Sequence, residues 1–131
     1  MTKTEKLAIG HCNIQGGLTG LAKSLEIQEL IKNEKLDILG LNETNLKPDI
    51  DTDTLNLPQN YTLVRKDRIN NSGRGGCAVL ISNNIKFQQL DVTSKCLADT
   101  KQIEAIWLHI ESVNMYICCF YTFIDPTFTV R

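Results

Sequence analysis

The sequence predicts an α/β domain: a mixed sheet with one main helix packed on it. Three observations carry that prediction. Residues 7–14 and 37–41 are short apolar runs on either side of a helix-like stretch, the pattern of a β-α-β unit. Residues 77–81 (Cys-Ala-Val-Leu-Ile) are a compact apolar run of strand length. Residues 103–110 and 115–121 are strand-like runs separated by Val113-Asn114, as in an antiparallel hairpin.

Composition narrows the class. A chain of 131 residues suffices for one domain with one core, and a hydrophobic fraction of 42% excludes a disordered chain. The formal net charge of −1 lacks the basic footprint of a dedicated nucleic-acid binder. It leaves room for an enzyme that holds a phosphodiester through a metal ion. The five cysteines form no even framework and no C-x-x-C pair, which argues against a disulfide scaffold or a zinc site. All but Cys96 lie in apolar stretches, so buried reduced thiols in a reducing compartment are expected. Residues 1–6 are polar with no apolar segment behind them, and no window approaches the ~18 apolar residues of a membrane span. The expectation is a soluble intracellular protein of the nucleus or cytoplasm, without a membrane partner.

Taken in order, residues 7–14 form the first strand, closed by Gln15-Gly16-Gly17. Asn13 stands near its carboxyl end, either as a turn former or as a buried amide with several hydrogen bonds to satisfy. Residues 21–35 contain strong helix formers and no Gly or Pro. Ile27, Leu30 and Ile31 make one face of this helix. Leu18, Leu21 and Leu25 make another, and one straight helix cannot turn both sets toward the same core. Next comes Asp37-Ile38-Leu39-Gly40-Leu41-Asn42-Glu43-Thr44, whose apolar half suits a strand buried on both faces. Glu43 follows at the carboxyl end, where ligands of open α/β sheets bind. Locally Glu43 also reads as the start of a solvated loop. A parallel β-α-β unit puts Asn13 and Glu43 at the same sheet edge.

Residues 47–58 read as a solvated loop. Asp49, Asp51 and Asp53 alternate there, but Thr54-Leu55 stands where a calcium loop of the EF-hand type needs Gly. Residues 61–65 form an alternating strand. Gly75-Gly76 before the run at 77–81 relieves crowding at a strand start or cradles a phosphate, and no P-loop Lys-Ser/Thr follows. Asn83-Asn84 is a turn, after which residues 85–92 are expected to pair back as a hairpin.

Asn13, the stretch from Asp37 to Thr44, Arg74-Gly75-Gly76-Cys77-Ala78-Val79-Leu80-Ile81, Glu104-Ala105-Ile106-Trp107-Leu108, and Phe120-Tyr121 before Pro126 occur in this order. Together they resemble the endonuclease/exonuclease/phosphatase superfamily, and within it the endonuclease domains of non-LTR retrotransposons. The resemblance implies the amino-terminal half of a deoxyribonuclease-I-like α/β sandwich. It further implies Mg²⁺- or Mn²⁺-dependent hydrolysis of a phosphodiester or phosphomonoester, with DNA as the nucleic-acid partner. Glu43 matches the metal-binding glutamate, Asn13 the asparagine beside metal and phosphate, and Tyr121 the tyrosine that contacts the phosphate. Four residues separate Tyr121 from Pro126, a departure from the family's spacing.

The family's Gly-Asp-Phe-Asn-like and Ser-Asp-His-like segments have no counterpart in residues 1–131, and neither His11 nor His109 matches the family's histidine. The expectation is one partial domain over 1–131, truncated at its C-terminal end. Such a chain would be weak or inactive alone, with the remaining half as a missing partner and an exposed sheet face where that half would pack. The alternative is a binding module that keeps the fold without the chemistry, or a relic of a retrotransposon reverse-transcriptase protein. A small unrelated α/β domain is the remaining alternative.

Overall fold

The computed structural model describes residues 6–14, 17–67, 75–91 and 103–122. Its elements are β1 (Ile9–Asn13), α1 (Leu21–Glu34), β2 (Ile38–Asn42), β3 (Tyr61–Lys66), β4 (Cys77–Ser82), β5 (Phe87–Leu90), β6 (Ile103–Ile110) and β7 (Met115–Thr122). Two sheets form, in the orders β1-β2-β4-β3 and β5-β6-β7. The β1-β2 pair is parallel and every other pair is antiparallel, so the first sheet is mixed as the sequence predicted.

The continuous apolar runs are explained by burial on both faces. In β2, Leu39 and Leu41 face one cluster with Ile27 and Ile31 of α1, while Ile38 faces another with Ile106, Leu108 and Cys119. In β4 the same alternation sends Ala78 and Leu80 to the helix side, and Cys77, Val79 and Ile81 to the second sheet. A strand between two apolar layers needs no polar face. Gly40 lets the second sheet approach β2 closely. A Cβ there would lie 3.3 Å from Cys119 Sγ and 3.4 Å from the His11 ring.

The helix resolves the conflict between its two apolar sets. Ile27 and Ile31 are buried, whereas Leu21 and Leu25 are 63% and 50% exposed. Leu18 is buried in the loop before the helix, so of the second set only the residue outside the helix reaches the core. The helix ends at Lys35, whose left-handed backbone (φ 50°) donates its N–H to Ile31 O.

One expectation is corrected. Of the stretch 85–92, the described residues 85–91 do not fold back on β4: the turn at Asn83-Asn84 forms, but β5 joins β6 in the second sheet. Both edges of β4 are already occupied, by β2 and β3, and leave no ladder for a third partner. The loop at 47–58 is anchored as well as solvated. Arg65 donates to Lys47 O (2.7 Å), Ile50 O (2.6 Å) and Thr52 Oγ1 (3.2 Å) while pairing with both carboxylate oxygens of Asp67. Ile50, Leu55 and Leu57 pack against the helix-side core. The hairpin β6-β7 forms as expected. Cys12, Cys77, Cys118 and Cys119 are free thiols, two of them buried; Cys96 lies outside the described residues. On the second sheet Tyr116 and Phe120 are 62% and 58% exposed. No helix among the described residues is long and apolar enough to cross a membrane.

Candidate active site

The site begins with strand register. Asn13 lies opposite Asn42 in the parallel β1-β2 ladder, and Ile14 N–H donates to Asn42 O at 2.8 Å. Neighbouring strands run about 4.8 Å apart. Asn13 and Glu43 therefore leave the sheet at the same edge, the exposed end of β1 and the half-buried end of β2.

Beyond β2 the backbone turns in an unusual way. Glu43 and Asn45 both adopt left-handed φ values, 59° and 55°. For a residue with a Cβ this conformation costs roughly 1–2 kcal/mol, less for Asn than for Glu. The surroundings hold it in place. Glu43 N–H donates to Gly76 O (2.9 Å) and Asn45 N–H to Gly75 O (2.8 Å). In return, Gly75 N–H donates to the Asn45 side-chain oxygen at 2.9 Å. These bonds extend the β2-β4 ladder past Asn42↔Cys77 into the loops.

The two glycines are required. Gly75 and Gly76 have φ values of 72° and 84°, and a Cβ on Gly76 would sit 2.9 Å from Thr44 Oγ1 and 3.2 Å from Lys66 O. Between the two sequence readings of this pair, crowding at a strand start is the one these distances support. Thr44 itself is fully buried, and its hydroxyl has no hydrogen-bond partner among the described residues. A third segment docks from the β1-α1 loop. Leu18 N–H donates to Thr44 O (2.9 Å), and a Cβ on Gly17 (φ 88°) would lie 3.0 Å from Asn45 Cβ.

The second sheet reaches the same corner through Cys119, whose Sγ lies 3.7 Å from Asn42 Oδ1. Tyr121 is two residues further along β7, its backbone paired with Glu104. The structure thus places Asn13 and Glu43 at one sheet edge by strand register and Tyr121 on β7 by its backbone alone. Arg74 and Pro126 of the sequence pattern lie outside the described residues. Sequence reasoning missed Asn45 and Gly17. The available signal was that Asn and Gly are the residues that most readily take left-handed backbone.

The donor set suits a hard cation. Mg²⁺ takes oxygen ligands, binds through one or two carboxylates and keeps several waters. Glu43 offers a half-exposed carboxylate and Asn13 an exposed carboxamide at one sheet edge. No group of three or more His, Cys, Asp or Glu side chains gathers among the described residues. One carboxylate with a neutral amide is a Mg²⁺-like set rather than a zinc-like one.

Comparison with known proteins agrees with this architecture. Residues 10–102 match the model of the Endonuclease/Exonuclease/phosphatase family, a span that includes Asn13 and Glu43 but not Tyr121. No curated protein matches significantly. Among solved structures, the fold is similar to the AP endonuclease LMAP from Leishmania major, with a TM-score of 0.56 and 19% identity. The similarity covers 89% of this chain and 39% of that one, so the chain spans about two fifths of the length of its structural neighbour.

Proposed function

The chain belongs to the endonuclease/exonuclease/phosphatase family, and from that premise we propose that it is the first part of a Mg²⁺-dependent phosphodiester hydrolase acting on DNA. The observation that carries the reading is the β1-β2 register, which sets Asn13 beside the end of the strand that delivers Glu43. The left-handed backbone of Glu43 adds support. Strained residues persist where the surroundings over-determine them, and they cluster at functional sites.

In this reading Glu43 holds the metal ion, Mg²⁺ or Mn²⁺, with Asn13 beside it. When bound, the ion polarises the phosphoryl oxygen and stabilises the leaving oxygen. Asn13 orients a non-bridging phosphate oxygen through its carboxamide without adding negative charge to the site. Tyr121 donates its hydroxyl to the same phosphate. A general base must stand within hydrogen-bond reach of the water it activates, and we assign no residue of this chain to that task. The remaining groups come from sequence beyond this part of the domain, so the chain alone is weakly active or inactive. The likeness to non-LTR retrotransposon endonucleases is the reason DNA is named as substrate.

Titration with Mn²⁺ tests the reading. The wild-type chain should bind the ion and Glu43→Ala should not; equal binding by both would sink it. Supercoiled plasmid with Mg²⁺ tests the activity of the chain alone. Nicking that Glu43→Ala abolishes would show the chain sufficient for catalysis and remove the expectation of weak activity.

A further inference from the structure

We infer that Asn45 is the positioning residue of this site, and that its carboxamide fixes the direction in which Glu43 leaves the sheet. The inference rests on the reading of Glu43 as a metal ligand. Asn45 sits where three segments meet: the end of β2, the glycines before β4, and the loop after β1.

Its backbone N–H donates to Gly75 O at 2.8 Å, and its side-chain oxygen accepts from Gly75 N–H at 2.9 Å. In an ordinary antiparallel pair both bonds belong to the backbone. Here Asn45 is left-handed (φ 55°), and the Gly75 N–H goes to its side chain rather than to its carbonyl. The carboxamide oxygen replaces that carbonyl and closes the ring.

Glu43, two residues earlier, lies between this ring and the regular ladder that ends at Asn42↔Cys77. It is therefore pinned on both sides while its own backbone is left-handed at φ 59°. On its other side Asn45 meets Gly17. A Cβ there would be 3.0 Å from Asn45 Cβ and 3.2 Å from its Nδ2. The loop that carries the chain away from Asn13 therefore packs on the same side chain that steadies Glu43. Asn fits both demands of the position: it tolerates left-handed backbone, and it offers an acceptor at the reach of one side-chain amide.

Three variants of the full chain separate this role from simple folding: Asn45→Gly, Asn45→Ser and Asn45→Asp. Glycine keeps the left-handed backbone and removes the acceptor. Serine keeps a small polar side chain too short for the Gly75 amide. Aspartate keeps the acceptor. The readouts are Mn²⁺ affinity by titration with the metal alone, thermal unfolding without metal, and hydrogen exchange of the Gly75 amide. Partners that orient a metal ligand typically cost 10–100-fold in affinity when lost, and Asn45→Gly and Asn45→Ser should each weaken Mn²⁺ by about that factor. Both should lose Gly75 protection, while Asn45→Asp retains the protection and the binding. Should Asn45→Gly fail to fold, Asn45→Ser makes the same comparison. The inference is overturned if a truncated variant loses Gly75 protection yet binds Mn²⁺ like the wild type, with Glu43→Ala still unable to bind. If the wild type binds no better than Glu43→Ala, the reading of the site fails, and the inference with it.

Discussion

Two acidic residues flank β2, and the chain uses them in opposite ways. Asp37 precedes the strand. Its carboxylate accepts the Ala8 N–H at 2.9 Å, its N–H donates to Ala8 O, and its carbonyl accepts from Ser82 N–H. Burial, and then the Asp37 charge, raise the Tyr61 hydroxyl above its ordinary pKa, and that hydroxyl donates to Leu36 O. Glu43 follows the strand, with a left-handed backbone and a half-exposed side chain. Asp37 completes the start of a parallel pair with ordinary hydrogen bonds. At Glu43 the neighbouring loops stabilise a backbone conformation that the residue itself disfavours. A carboxylate at a strand end is thus not a site by position alone; at Glu43 the shared edge with Asn13 is accompanied by an imposed conformation.

Substitutions can break this contrast. The largest effect is expected at Gly76, whose left-handed backbone and close neighbours both oppose a side chain. Gly76→Ala should destabilise the fold by about 2–4 kcal/mol in urea unfolding, the sum of backbone strain and overpacking. Asp37→Ala removes the acceptor from a part-buried N–H and should cost about 1–2 kcal/mol, leaving Mn²⁺ affinity unchanged. Glu43→Gly should move the other way. It relieves left-handed strain, so stability should hold or rise by up to about 1 kcal/mol while Mn²⁺ binding disappears. A Glu43→Gly protein that unfolds more easily than wild type would show that Glu43 is structural, like Asp37, and erase the distinction.

Much of this was legible in the sequence, for a physical reason. The runs around Leu39 and Leu80 contain no polar face, and only strands covered on both sides are built that way. The helix between the first two strands makes them parallel neighbours, which alone brings Asn13 and Glu43 to one edge. The pairing of β5 was not legible. A turn followed by a strand signals a hairpin, but sheet membership was decided by the already occupied edges of β4, a property of distant segments. Asn45 was hidden for a related reason. An Asn in a loop looks like a turn former, and its acceptor role appears only when Gly75, thirty positions later, is folded against it. Arg65 likewise looked like one more residue of an alternating strand, although its guanidinium fastens the 47–52 segment.

The contact between Cys119 and Asn42 has a consequence for the order in which the molecule assembles. The two residues are 77 positions apart in sequence. Every residue of the helix-side cluster, from Ile14 to Leu80, is present once synthesis has passed β4. The cluster between the sheets needs Ile106, Leu108, Ile110 and Cys119. Non-local contacts must offset the entropy of loop closure before they stabilise anything, so the inter-sheet layer should condense after the helix-side one. During elongation β2 would first be covered on its helix side alone, and its Gly40 face would wait for β7.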